Sequence, residues 1–391
     1  MDSRVITDPK TEKLFFALMR SGMNEEPEMP TISGEIDFTS LYRLSQAHDL
    51  AHLVWVGLQK NNVSVPEKAR QAFGKQTTVA VYRDIRRSSA IDEFRQIMAD
   101  AGIPFILLKG ATIAALYPES WMRTSADVDA LVPESDFRKT LTILNRAGMK
   151  RICETQHDVT FETRDHVHLE LHHTLIEESR NEKAFLLLKN VWETARKRED
   201  NTSEYVLPDE VVYAYYVAHM AKHLVNGGCG VRSILDLWLL NHKVDFDPAE
   251  REKALEAGGL VRFEEKARAV AEIWFSGEKD DSSLSDLESF ILNGGAYGTI
   301  EQGVAFRSQS AKSKPLYYLN RVFPSFEQMK TSYPALKKAP ILLPGCWVAR
   351  WLKLLDPKKR HKAVHEIEVE RSLGEEKTRR IDALLDDLGL R

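Results

Sequence analysis

A chain of 391 residues that is 43% hydrophobic and 29% charged has the composition of an ordinary water-soluble globular protein, long enough for about two lobes and a sizeable core. Fifty-four Lys and Arg against 58 Asp and Glu leave a formal charge of −4, which argues against a protein whose main task is coating nucleic acid, although a local basic groove stays possible. Cys153, Cys229 and Cys346 lie far apart and form no CxxC or metal-finger spacing, which argues against a disulfide framework.

The opening residues, MDSRVITDPK, read as neither signal peptide nor anchor. Apolar runs such as FILL at 105–108 are far shorter than the roughly 20 residues that cross a bilayer. The expectation is a cytoplasmic protein without a membrane partner.

Residues 1 to about 100 read as helical. Phe38, Leu41, Leu44, Ala47, Ala51, Val54 and Leu58 recur every three or four positions as one apolar stripe, with Asp37, Thr39 and Ser40 as capping groups. A second helix is predicted from Glu67 to Ala101, ended by Gly102, with Arg83, Asp84, Arg86 and Arg87 on a solvent face. At Ile103 the pattern changes: IPFILL is short, apolar and partly β-branched, and LKG stops it, as for a buried strand and turn. A short helix follows at about 111–116, then a strand at 128–132 and a helix from Asp136 to Ala147 closed by Gly148. Two more strands are predicted near 158–163 and 166–172.

From 180 to 300 the reading is helical again. Residues 301–314 are polar and read as a linker. Asp356 to Arg391 carries nine basic and nine acidic residues, as in a solvated helix or loose tail. This order of elements is an α+β or α/β layer pattern. A small mixed sheet at 102–178 is flanked by an N-terminal helical region (1–101), a helical lobe (179–300), and a linker with a C-terminal helical extension (301–391).

The chemistry concentrates in LLKGATIAALYPESWMRTSADVDALV, residues 107–132. Asp127 and Asp129 are two apart, so on a strand both carboxylates face one side. Like charges so close repel unless a cation lies between them, and hard oxygen ligands suit Mg²⁺ bridged to substrate phosphates. One Asp capping a turn while the other is solvated is the plain structural alternative. In HVHLELHH, residues 166–173, Val167, Leu169 and Leu171 alternate with His168, Glu170 and His172. One face is apolar and the other sets a carboxylate between two imidazoles, so Glu170 can join the two aspartates. A Zn²⁺ site on the histidines is the rival, without a cysteine nearby to support it.

These segments resemble the polymerase-β-type nucleotidyltransferase superfamily. Specifically, LLKGATIAALYP, RTSADVDALV and LELHH are similar to its uncharacterised nucleotidyltransferase family, with DFTSLYRLSQAHDLAHLVWVGLQ and AHMAKHLVNGGCGVRSILDLWLL resembling its flanking helices. The resemblance implies the α+β class, and Asp127, Asp129 and Glu170 as metal ligands and catalytic groups, with Mg²⁺ or Mn²⁺ and a nucleoside triphosphate. The superfamily usually has Gly-Ser or Gly-Gly at the turn; Lys109-Gly110-Ala111 stands here, and Asp127 follows Gly110 by 17 positions. Lys109, or the N–H groups that open the next helix, would replace the missing hydroxyl, with Gly110, Arg123, Ser125 and Arg232 beside them on the nucleotide.

Val212, Tyr215, Tyr216, His219, Met220, His223 and Leu224 share one helical stripe, which turns both histidines inward. Arg232 and Asp236, four apart, can pair on the next helix. His168, His172, His219, His223 and Asp236 are the candidates for the acceptor side or for supporting the ligands. The implied activity is Mg²⁺-dependent transfer of a nucleoside monophosphate to a hydroxyl of a small molecule or protein, since the charge disfavours long nucleic acid. Two alternatives share the residues: a non-catalytic module binding a nucleotide or a partner, and a phosphotransferase. No glycine-rich phosphate loop and no G-x-S-x-G elbow occurs.

Overall fold

The computed structural model describes residues 8–24, 35–155, 158–176, 181–198 and 201–304 (297 and 300 apart), with parts of 319–390. The N-terminal region folds as α1 (Pro9–Met23), α2 (Phe38–Ala47), α3 (Ala51–Lys60) and the long α4 (Glu67–Ala101). The stripe over 38–58 is broken into two helices. Asp49 takes a positive φ of 56°, and the Leu50 N–H closes on Ser45 O at 2.8 Å. The break turns α3 against α1, where Leu18 and Leu53 are fully buried. α4 ends as predicted, at Gly102 with φ 61°.

Next come β1 (Phe105–Leu107), α5 (Gly110–Ile113), β2 (Asp127–Leu131), α6 (Glu134–Arg146), β3 (Lys150–Glu154), β4 (Asp158–Glu162) and β5 (His168–His172). The chain then forms α7 (Glu182–Leu188), α8 (Val191–Thr194), β6 (Arg196–Arg198) and β7 (Asn201–Val206). All seven strands join one sheet in the order β3-β4-β5-β2-β1-β7-β6. β2 runs parallel to β5, and β1 parallel to β7; the other pairs are antiparallel.

The reading of 180–300 as wholly helical is thus corrected. β7 inserts between β1 and β6 and extends the sheet. Its inner residues are polar, which hides it from a search for apolar alternation. Glu204 is 3% exposed, and Arg95 Nε at 2.9 Å and Arg198 Nη1 at 3.0 Å compensate its charge. β3 escaped for a similar reason: KRICE is exposed along its whole length.

Side-chain alternation gives the sheet two different faces. Leu107, Val128, Ala130, Leu169 and Leu171 pack on one side against Ile91, Phe94 and Met98 of α4 and Leu144 of α6. Ile106, Leu108 and Leu131 belong instead to the core shared with the second helical lobe. That lobe is α9 (Asp209–Val225), α10 (Val231–Lys243), α11 (Pro248–Gly258), α12 (Val261–Ala271) and α13 (Ser285–Gly294). Burying one Phe or Leu in either core stabilises the fold by about 1.5–3 kcal/mol.

The predicted solvent face of α4 is also corrected. Arg87 is 5% exposed; it binds Asp84 and donates to Arg123 O at 3.1 Å, while Arg83 stays exposed. The acidic and basic C-terminal stretch is more than a solvated tail: in the helix Glu375–Asp387, Ile381, Leu384 and Leu385 are buried in the lobe's core. The linker read at 301–314 lies, from 305 on, outside the described residues. No described helix is long and apolar enough to cross a membrane.

Candidate active site

The parallel pairing of β2 with β5 sets Asp127 beside His168, Asp129 beside Glu170 and Leu131 beside His172. Asp129 and Glu170 therefore lie on the same sheet face, side by side, above a floor of apolar residues on the other face. His172 reaches back so that its Nε2 is 3.0 Å from Asp129 Oδ1 and 3.8 Å from Glu170 Oε2. One ligand atom from each of Asp129, Glu170 and His172 falls within 4.8 Å of the others. Asp127 lies outside that triad. It is half-buried one register step along β2 and accepts from Ser125 Oγ at 2.8 Å.

The triad lies in a cleft of about 470 Å³ between the sheet and α9–α10, lined by Lys109, Ser125, Asp127, Asp158, Tyr215 and Arg232 among others. The cleft includes every predicted site residue except His168, which is exposed and does not line it. β-alternation correctly gave His168 the same face, but the residue stands at the strand's outer end.

Burial would raise the Asp129 carboxyl, but Lys109 and His172 outweigh it and hold the group well below the usual carboxylate range. Glu170 lies 3.8 Å from His172, which favours its ionised form, but among the described residues it has no lysine beside it. Burial, then the charges of Asp129 and Asp127, push it up to about 7. The two carboxyls, adjacent on the sheet, are thereby differentiated: Asp129 is a firm anion and Glu170 is near its titration point at neutral pH.

Lys109 turns the corner from β1 into α5 at φ 32°, a left-handed conformation that costs a non-glycine residue about 1–3 kcal/mol. The turn aims Nζ into the cleft, 3.7 Å from Asp129 Oδ2, 2.7 Å from His219 Nε2 and 5.5 Å from the Tyr215 ring centre. Burial opposes the ammonium, yet Asp129 keeps it charged. The charged Lys109 donates to His219, so His219 is neutral with its proton on Nδ1. Burial and then Lys109 hold its pKa well below the ordinary histidine value. His223 does not face inward as the stripe suggested. It is exposed at the cleft mouth, with Nε2 3.1 Å from His219 Nε2.

The expected Arg232–Asp236 pair is not formed. Asp236, 1% exposed, is bound by Arg123 through Nη2 at 2.8 Å and Nε at 3.0 Å, and accepts from Tyr117 Oη at 2.7 Å and Tyr216 Oη at 3.0 Å. Arg232 instead donates to Thr124 O at 2.6 Å. The reason is sheet geometry: the segment before β2 crosses over α10, so its own arginine reaches Asp236 first. Gly110 permits this arrangement, since a Cβ there would lie 3.3 Å from Arg123 Nη1 and 3.4 Å from Ser125 Oγ. Arg123 thus ties the α/β core to the helical lobe rather than projecting to a ligand.

Sequence reasoning passed over Asp158 and Tyr215 as site residues. Asp158 opens β4 directly opposite His172, a position legible only once the β4–β5 register is known. Tyr215 was visible as a member of the α9 stripe, but burial was sufficient reason for it.

A mixed sheet that presents a carboxylate cluster on adjacent strands beneath a helical lobe is the nucleotidyltransferase fold. The chain belongs to the uncharacterised nucleotidyltransferase family, whose profile matches residues 34–276, more than half of its length. No curated protein matches it. Among solved structures, the antibiotic-resistance factor ANT(2'')-Ia in solution is similar at 13% identity, over 52% of this chain and 96% of that chain, with a TM-score of 0.28. A likeness that distant adds nothing to the family membership.

Proposed function

We propose that the chain is a divalent-cation-dependent nucleotidyltransferase that moves a nucleoside monophosphate from a nucleoside triphosphate to a hydroxyl of a small molecule or protein. The observation that carries this reading is the adjacency of Asp129 and Glu170 across β2 and β5, with His172 completing a ligand set inside an open cleft. Two carboxylates and an imidazole fit Mg²⁺ or Mn²⁺, and the imidazole leans the set toward Mn²⁺. When bound, such a cation would orient the triphosphate and offset charge developing at the α-phosphorus.

The residues divide the remaining work. Asp129, Glu170 and His172 would hold the cation, and Asp127 would extend the set from the next register position. Lys109, Gly110, Ser125 and Arg232 line the side where phosphates would lie. The acceptor oxygen would form its bond to the α-phosphorus as the bond to pyrophosphate breaks, with Glu170 taking the acceptor's proton. His219 would stand beside the acceptor in the cleft, with His223 at its mouth. The reading includes a cytoplasmic location, in keeping with three free thiols at Cys153, Cys229 and Cys346.

Pyrophosphate release in the presence of Mg²⁺ or Mn²⁺ tests it. Asp129→Asn should abolish release while the circular dichroism spectrum stays that of the wild type; unchanged turnover would remove Asp129 from the reaction.

One observation favours a second reading, a non-catalytic nucleotide-binding module: the Lys109 ammonium already compensates Asp129. Calorimetry that finds nucleotide binding, together with mass spectrometry that finds no product, would select it. A product carrying only the terminal phosphate would select a phosphotransferase.

A further inference from the structure

A second cavity, of about 750 Å³, opens beside the cleft. The two share Ser125, Ala126 and Ala296 in their walls, so Ser125 and the Asp127 carboxylate it binds stand at the junction. The second cavity is the more basic of the two. Arg83, Arg86 and Arg87 of α4 line it, and Asp49 is the one carboxylate among its described lining residues.

The three guanidiniums are not equally engaged. Arg87 is bound by Asp84 beneath the wall. Arg83 approaches Asp49 only at 3.5 Å, and the other Asp49 oxygen accepts from Thr124 Oγ1 at 2.9 Å. Arg86 is half-buried, donates to the Asp165 carbonyl and lies over the Tyr82 ring, with no carboxylate partner among the described residues. Counting Asp84 along with Asp49, the wall still carries more positive than negative charge. A half-buried guanidinium without a counterion is costly unless an anion arrives. Its planar fork of donors matches phosphate or carboxylate oxygens.

The opposite wall is built for close approach. Gly294, Gly295, Ala296 and Gly298 present backbone and small side chains to the cavity. Gly298 has φ 78°, and a Cβ on it would fall 1.8 Å from Gly227 O, so no larger residue fits there without moving the wall.

We infer that this cavity is an oxyanion-binding chamber for the acceptor: a small molecule whose phosphate or carboxylate is held by Arg83 and Arg86, and whose hydroxyl reaches past Ser125 and Ala126 to the carboxylate cluster. The acceptor role rests on the nucleotidyl-transfer reading, whereas the anion site rests on the cavity alone. The division also accounts for two adjoining chambers, one holding the carboxylate cluster and the other lined by three arginines. The chamber with the carboxylate cluster takes a cation with its triphosphate, and the arginine-lined one takes the acceptor's anionic handle.

Isothermal titration with inorganic phosphate and with succinate, each in the absence and presence of saturating Mg²⁺ and a non-hydrolysable ATP analogue, tests the inference. At least one anion should bind, its affinity should be unchanged in Asp129→Asn and with the analogue present, and it should fall by about tenfold or more in Arg86→Gln. Which anion binds tells a phosphate handle from a carboxylate one. Arg83→Gln, at an exposed residue, keeps the test decisive should Arg86→Gln fold poorly. Binding of neither anion overturns the chamber, as does wild-type affinity in both arginine variants. Displacement by the analogue together with loss in Asp129→Asn would also overturn it, because the anion would then lie in the nucleotide cleft. Arginine-dependent anion binding in a protein that binds no nucleotide would leave the anion site standing and remove the transfer reading.

Discussion

Replacing Asp236 by Asn should unfold the junction between the α/β core and the helical lobe before it alters any ligand contact. Asp236 is 1% exposed and receives four hydrogen bonds from three side chains of two segments: Arg123 through Nε and Nη2, Tyr117 and Tyr216. Burial raises the pKa of both tyrosines, and Asp236 raises it further, so each stays a neutral donor. Removing one partner of a buried ion pair leaves an uncompensated charge and costs about 3–5 kcal/mol. Amide oxygen can keep one or two of the tyrosine bonds, so the lower half of that range applies, about 3 kcal/mol. With a urea dependence of about 3 kcal/mol per molar, the midpoint of equilibrium unfolding should fall by about 1 M. The double variant Arg123→Met/Asp236→Leu, which removes both charges, should recover most of the loss. A single variant within about 0.5 kcal/mol of the wild type, the usual range for a surface change, would refute the claim that this pair holds the lobes together.

Lys109→Met should weaken binding of a non-hydrolysable nucleoside triphosphate by about tenfold or more, since it removes a buried ammonium poised at the cleft; calorimetry with an unchanged Kd would separate Lys109 from the phosphates. Stability should depend on pH through His48, which is fully buried between Leu292 O at 3.2 Å and the Val231 N–H at 3.5 Å. Burial pushes its pKa down to about 4 from 6.5, so the unfolded chain binds the proton first as pH falls. Stability is then complete above pH 6.5 and lost toward pH 4, by at most about 3 kcal/mol from this residue. Thermal melting of His48→Gln across that window should show a shallower slope, and an identical slope would assign the acid sensitivity elsewhere.

Much of the site was legible because its signals are local. Alternation over 128–132 and 166–172 requires no knowledge of the fold, and the structure forms β2 and β5 there, at Asp127–Leu131 and His168–His172, with the predicted faces. Gly102 and Gly148 likewise mark true helix ends, both with positive φ. What escaped was set by distant partners. The choice of Arg123 over Arg232 for Asp236 depends on how the segment before β2 crosses α10. The inclusion of His172 rather than Asp127 in the ligand triad depends on side-chain reach across the β2–β5 register. β7 was hidden because its buried residues, Ser203 and Glu204, are polar and are compensated by arginines from α4 and β6. The basic cavity was hidden in the same way, since Arg83, Arg86 and Arg87 look like an ordinary solvated helix face until Gly294, Gly295, Ala296 and Gly298 join them around one cavity.

Titration of Mn²⁺, followed by the loss of the free-ion electron paramagnetic resonance signal, measures the cation site itself without any need to know the acceptor. The wild-type protein should bind Mn²⁺, and Asp129→Asn, Glu170→Gln and His172→Ala should each weaken binding by about tenfold or more. Failure of the folded wild type to bind, or binding in all three variants as tight as in the wild type, would contradict a cation site built from β2 and β5.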